Sequence, residues 1–336
     1  MTEQPFFSII IPVYNGVTND LPICLDSIWN QPLDSSLYEV VCVDDCSTDN
    51  TRTSLKDEQL KHPNLKVIEN ERNIRQGGSR NKGVRAAKGR YIIFIDQDDY
   101  YHKESIAQVY NHLKANKLEI LIVDCAYQHP GFESNKLQHN FPHREVMTGD
   151  EQIQRNSIPY APWKFVFLRS LMIENGIFFA EHERIEDVDW VHALTHYAKR
   201  TQYQPILLIH YNKISLSTTM TSYKSPDTVY STLRAGKRLT DLATATFAES
   251  NDNVKKYIRS LGGRMYYIGI RSYFFFHDSI KEKSRNINET GREIESNSFL
   301  VRTAKKCPRL FSAITNVLSP AGNFSMYLYR LLKYRR

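Results

Sequence analysis

The sequence predicts an α/β protein with a mostly parallel sheet flanked by helices and a C-terminal helical extension. Three observations predict it. Short apolar, β-branched runs alternate with helix-periodic segments over residues 7–124, the pattern of βαβ units. Polar residues directly follow several of these runs, where open α/β sheets bind ligands. From residue 226 onward strand alternation stops and mainly helical patterns remain.

Each element has a local reason. Residues 7–13 (FSIIIPV) read as a buried strand, a continuous apolar run punctuated by Pro12. Leu21, Cys24, Leu25, Ile28 and Trp29 recur at helical spacing. Residues 39–43 (EVVCV) form a second strand, and Ser47–Thr51 is a turn and cap cluster before a polar helix. Residues 65–69 (LKVIE) form a third strand. Residues 77–88 begin glycine-rich and continue as a helix, 90–95 (RYIIFI) form a fourth strand, and 118–124 a fifth. Residues 127–160 read as loops. Residues 163–176 read as a helix closed by Gly176, a helix opens at Glu186, and 206–211 (ILLIHY) form a last strand. The domains expected are 1–225 and a basic, mainly helical 226–336.

Bulk properties narrow the class. A chain of 336 residues with 41% hydrophobic content holds a packed core. Its five scattered cysteines include no Cys-x-x-Cys pair, which fits free thiols in a reducing cytoplasm. The N-terminal apolar run is too short for a signal peptide, and no stretch reaches the ~18 apolar residues of a membrane span. The net charge of +7 is uneven: residues 1–225 carry 24 Lys+Arg against 28 Asp+Glu, and residues 226–336 carry 20 against 9. Such a basic segment suits an anionic surface. No nucleic-acid-binding motif accompanies it, so nucleic acid is not the expected partner.

The densest chemical signal is Asp96, Asp98 and Asp99 at the end of the fourth strand. Three adjacent acids repel unless a cation joins them. Mg²⁺ typically takes one or two carboxylates plus substrate phosphates, so the cluster points to a metal–diphosphate site. A helix cap explains one of these acids and not three. Tyr14 and Asn15 follow the first strand and Asp44 and Asp45 the second, so three strands deliver polar groups to one edge. Gly77, Gly78, Arg80 and Asn81 form a helix start suited to anions.

Taken in order, IIIPVYN, VVCVDDCSTDNT, NIRQGGSRNKGVRAAKGRYIIFIDQDD, Trp163-Lys164 and Glu186-Asp187 resemble the family-2 inverting glycosyltransferases, of bacterial polysaccharide type, over residues 6–220. The resemblance implies a GT-A, Rossmann-like fold and transfer of a sugar from a nucleotide-diphosphate donor, a UDP-sugar, to an acceptor hydroxyl with inversion. It implies Mg²⁺ or Mn²⁺ as cofactor. Asp98 matches the last acid of the family's DXD motif, the metal ligand, and Asp96 the first acid, near ribose or metal-bound water. Pro12, Tyr14 and Asn15 match the nucleobase element. Asp45 resembles the carboxylate that accepts from the uracil imide, with Asp44 as alternate. Arg80 lies in a GGSRN segment shorter than the family's usual spacing there. Asp187 matches the base that takes the acceptor's proton; Asp189 is close enough to exchange roles with it. Trp163, Lys164 and Glu186 fall on the acceptor side, though a tryptophan there also suits a core. His210 lies where some relatives supply an extra metal ligand. His192 and His196 have a spacing zinc can use but no third ligand.

The implied acceptor is a glycan or lipid-linked glycan in cell-surface polysaccharide or glycolipid synthesis. Phe324, Tyr327, Leu328 and Leu331 share a helical face in a basic segment that fits either an anionic membrane surface or the protein's own core. The expected location is cytoplasmic, at the inner face of the cell membrane. Two rivals stand beside this reading. A sugar-phosphate nucleotidyltransferase would carry a basic glycine-rich loop after the first strand, where this chain has PVYNG. A non-catalytic nucleotide- or glycan-binding module would have no use for the acids at 96, 98 and 187.

Overall fold

The computed structural model describes residues 4–18, 20–128, 136–139, 141–212, 225–275, 278–291, 294 and 298–317. The chain forms two compact units, Met1–Ile214 and Ser215–Arg336.

The first unit contains β1 (Phe7–Val13), α1 (Leu21–Trp29), β2 (Tyr38–Asp44), α2 (Thr51–Lys61), β3 (Leu65–Glu69), α3 (Arg75–Ala86) and β4 (Tyr91–Phe94). It continues with β5 (Tyr100–Tyr101), α4 (Ser105–Asn116), β6 (Ile120–Gln128), α5 (Gly149–Arg155), β7 (Phe165–Leu168), α6 (Arg169–Glu174), α7 (Asp187–Tyr197) and β8 (Thr201–Asn212). The strands form one sheet in the order β3-β2-β1-β4-β7-β6-β8-β5. β3, β2, β1 and β4 are mutually parallel, and β6 pairs parallel with β8. β7 runs antiparallel between β4 and β6, and β5 antiparallel against β8. β1 and β2 are buried along their whole length, which is why both read as unbroken apolar runs. The β1–β4 ladder ends at Ile10 opposite Phe94, before Pro12, which cannot donate to it.

Three points differ from the elements expected or add to them. Residues 163–176 are not one helix: a single 3₁₀ turn at Pro162–Lys164 leads into β7 and the short α6. The apolar run FVFL suits either period, and the gap between β4 and β6 selects the strand. Second, the loop assigned to 127–160 contains α5. Its signal is Thr148-Gly-Asp-Glu151, a capping box in which Thr148 and Glu151 satisfy each other's backbone N–H groups. Third, α4 is an additional helix, burying Ile106, Val109 and Leu113 at i, i+3 and i+7.

One buried acid organises the α3–β4 corner. Glu39 accepts from the Ser8 hydroxyl at 2.5 Å and from the N–H groups of Lys88 and Gly89 at 2.5 and 3.1 Å. Gly89 lies so close to β1 that a Cβ would sit 2.5 Å from Phe7 C and Ser8 N.

The second unit is helical: α8 (Pro226–Thr244), α9 (Asp252–Ser272), α10 (Ile280–Gly291), α11 (Phe299–Lys306) and a further helix over 308–317. Leu233, Tyr266, Ile270, Tyr273, Ile287, Val301, Ala304 and Phe311 form its core. Among the described residues, no helix is long and apolar enough to cross a membrane. The amphipathic segment carrying Phe324, Tyr327, Leu328 and Leu331 lies outside the described residues.

The Gly89 contact yields a prediction. Gly89→Ala forces Cβ into backbone that cannot yield, so it should destabilise by about 1–3 kcal/mol in denaturant unfolding. A change under roughly 0.5 kcal/mol, the level of an ordinary surface substitution, would contradict the packing described.

Candidate active site

The carboxyl ends of β1, β2 and β4 lie on one edge of the sheet because the three strands are parallel. After β1, Tyr14 is 44% exposed, leaving its ring available. Asn15 adopts a left-handed φ of 50°. Its side-chain oxygen accepts from Thr48 N–H at 2.8 Å, tying the β1 and β2 loops together. The Gln97 side chain accepts from Tyr14 N–H at 2.8 Å and donates to Tyr14 C=O at 2.9 Å.

The two acids after β2 have different surroundings. Asp44 is fully buried, accepts from the Ser47 hydroxyl and from Arg52 Nε at 2.9 Å, and so fastens the loop to α2. Asp45 accepts from Asn70 Nδ2 at 2.9 Å and Ile74 N–H at 2.8 Å, both on Oδ1. Asn70 also donates to Ser79 at 3.1 Å, which places Asp45 beside the start of α3.

Arg80 is the junction of the site. It is 2% exposed, and it donates from Nη2 to Asp96 at 2.7 Å and from Nη1 to Glu186 at 2.9 Å. Its guanidinium also lies over Phe94 and Phe179. Burial works against its charge, but Asp96 and Glu186 hold it firmly protonated. The neighbouring Asn81 fixes the incoming segment: it donates to Phe179 C=O and accepts from Phe179 N–H, each at 2.9 Å. Gly77 lets that segment approach, since a Cβ would stand 2.9 Å from Ala180 O and 3.0 Å from Glu186 Cγ.

The acid cluster is electrostatically loaded. Burial, then the Asp96 charge, pushes the Asp98 carboxyl up to about 6. Asp99 is 1% exposed and is raised well above the usual carboxylate range by burial, then by Asp98 and Asp96. One of its oxygens accepts from Asn212 N–H at 2.9 Å; the other, Oδ2, is buried without a hydrogen-bond partner. Among the described residues, no group of three or more His, Cys, Asp or Glu is placed to hold a metal. The donor set nevertheless fits a hard divalent cation. It offers carboxylate oxygens held close together at a cost in charge repulsion, with further ligands to come from a diphosphate.

Asp187 opens α7 and keeps part of its surface open while the protein packs densely around it. Burial, then Glu186, pushes it up to about 8, and Arg80 opposes the rise. Glu186, buried beside Arg80, is also raised, by burial first. Asp189 is buried one step along the same helix.

The remaining candidates have partners of their own. Lys164 is 2% exposed and donates to Asp124 at 2.9 Å, with His139 Nδ1 at 2.6 Å. Against the upward push of burial, these partners hold Asp124 well below the usual carboxylate range. The pairing of β6 with β8 has a register irregularity at Asp124. Trp163 is 8% exposed and stacks on Tyr211. His192 bonds Val188 C=O and His196 bonds Asp150, so the pair does not converge. His210 meets His102 at 2.8 Å and Gln128 at 2.6 Å and stacks on Tyr100. Reading the sequence missed His102 because only the β5–β8 pairing brings it there.

Comparison with known proteins bears on the family and the fold. The model of glycosyl transferase family 2 matches residues 8–176. A poly(ribitol-phosphate) beta-glucosyltransferase of Bacillus spizizenii is 42% identical over 118 residues, 34% of this chain and 18% of that protein. The poly(ribitol-phosphate) beta-N-acetylglucosaminyltransferase TarS of Staphylococcus aureus is 33% identical over 118 residues, 35% of this chain and 20% of that one. The chain thus matches about a fifth of the length of these two relatives. The putative glycosyltransferase EpsH of Bacillus subtilis is 25% identical across 77% of this chain and 74% of its own. The crystal structure of S. aureus TarS 1-349 in complex with UDP-GlcNAc superposes with a TM-score of 0.68 at 19% identity. It covers 95% of this chain and 92% of that one, and it shares the GT-A fold. With half the chain matched by the family model and the fold matched over nearly all of it, this protein belongs to glycosyl transferase family 2.

Proposed function

We propose that the protein transfers a sugar from a UDP-sugar to an acceptor hydroxyl with inversion at the anomeric carbon. The observation that carries the reading is Arg80, whose one guanidinium joins Asp96 of the acid cluster to Glu186 beside Asp187. A diphosphate leaving group and an attacking hydroxyl need neighbouring but distinct carboxylates, and Arg80 sets them side by side.

Asp45, rather than the alternate Asp44, accepts from the uracil imide, and the exposed Tyr14 ring lies against the base. Asp98, with Asp96, would hold Mg²⁺ or Mn²⁺, which when bound supplies Lewis-acid stabilisation of charge on the departing diphosphate. Asp187 takes the acceptor proton as the hydroxyl oxygen bonds to the anomeric carbon and the UDP oxygen leaves. Arg80 holds Glu186 against the start of α7, which keeps Asp187 aimed. The names of the similar proteins support UDP-glucose and UDP-GlcNAc as donors to try first, and polyol-phosphate polymers as an acceptor class beside lipid-linked glycans. The basic second unit supports work at the inner face of the cell membrane.

The deciding experiment offers UDP-sugars to the protein with a cell-envelope acceptor extract and reads transfer by mass spectrometry. No transfer from any donor, and no UDP binding by calorimetry, would overturn the reading. Asp187→Asn should lower kcat by roughly 10²–10⁴-fold while UDP affinity stays within about twofold. Full activity in that variant would remove Asp187 from its role. Asp98→Ala should abolish the gain in UDP affinity that Mn²⁺ gives the wild type and leave affinity in EDTA unchanged; an undiminished gain would exclude Asp98 as ligand. A base must be ionised, and Asp187 is pushed up to about 8, so transfer should rise with pH from 6 to beyond 8. Arg80→Met removes the attraction that opposes the rise, so its rate profile should move to higher pH. A profile that is flat, or that moves down, contradicts the assignment.

A further inference from the structure

The second unit carries an exposed apolar row. α11 and the helix over 308–317 pack on the unit's core through Val301, Ala304 and Phe311. The inner side is further fixed by Lys283, which donates to Asn316 Oδ1 at 2.6 Å and Thr315 Oγ1 at 3.3 Å. The outer side is open. Leu310, Ile314 and Val317 stand at i, i+4 and i+7 and are 61%, 45% and 79% exposed; Phe299, at the start of α11, is 74% exposed. Scattered apolar residues are normal on a surface, but a helical row of them is not. Arg302, Lys306 and Arg309 are exposed on the same two helices. From Ser298 to Arg336 the sequence contains eight Lys and Arg and no Asp or Glu.

We propose that the outer face of these two helices, residues 299–317, docks on an anionic lipid bilayer. Apolar side chains enter the acyl boundary while basic ones meet acidic headgroups. Nucleic acid would use the charge but leave Leu310, Ile314 and Val317 without a role. A second copy of this chain would bring like charge against like charge. The inference rests on the membrane-surface reading above and deepens it by naming the residues.

The test uses the full chain with vesicles of phosphatidylcholine alone or containing phosphatidylglycerol. Sedimentation with the acidic vesicles only, weakened by salt, is expected. The triple change Arg302→Gln, Lys306→Gln, Arg309→Gln should weaken partitioning by about a hundredfold, and Leu310→Ser with Ile314→Ser should also release the protein. A readout without these changes is the exposed thiol of Cys307, between the two helices. Its maleimide labelling, identified against Cys307→Ser, should slow on acidic vesicles. Wild-type binding with unprotected Cys307, or with variants that melt normally and bind equally, sinks this face and spares the membrane reading. No binding by the wild type sinks both. A dimer that Leu310→Ser dissociates assigns the face to a second copy instead. None of these outcomes depends on sugar transfer.

Discussion

Arg80 is the interaction on which the site depends. A guanidinium that is 2% exposed must be neutralised, and Asp96 and Glu186 do this at its two terminal nitrogens. Removing one member of such a buried set typically costs about 3–5 kcal/mol, because the remaining charges are stranded. Much of the surrounding architecture serves this contact. Gly77 removes a side chain that would collide with the 180–186 segment, and Asn81 clamps Phe179 in register with α3. Phe94 and Phe179 then cover the cation.

Around that ion-paired knot the protein gathers carboxyl groups for which ionisation is costly. Asp98, Asp99 and Asp187 are all raised, with burial as the leading cause in each case. Repulsion adds to burial at every one of them. Stability given up at such a site is recovered when a cationic or protonating partner arrives. On the proposed reading the two regions differ in what they await: a hard cation at the acid cluster and an acceptor proton at Asp187.

Much of this was legible in the sequence, unevenly. β1 and β3 appear with the expected bounds because fully apolar or strongly patterned runs leave little choice. β7 was not legible, since FVFL has no period of its own and its neighbours decide it. The parallel strand ends place Tyr14, Asp45 and Asp96 on one edge, as the order of motifs suggested. Their bonding was hidden. Arg80 and Glu186 are 106 residues apart, and no local pattern announces the pair. Lys164 bonds Asp124, 40 residues earlier, a partner that no local pattern announces either. Asp44 and Asp45 are indistinguishable as letters; Ser47 and Arg52 against Asn70 and Ile74 separate them.

Gln97, between Asp96 and Asp98, has a consequence of its own. Its amide pairs with both backbone groups of Tyr14, much as a strand neighbour would, beyond the point where β4 has ended. The loop that carries the aromatic ring and the loop that carries the acids are therefore stapled together before any donor arrives. On the proposed reading a nucleotide meets a spacing already set, and the entropy of bringing the two loops together is spent during folding rather than during binding. On this account the middle letter of an Asp-x-Asp motif acts as a gauge block, setting the distance between the two ends of the ligand.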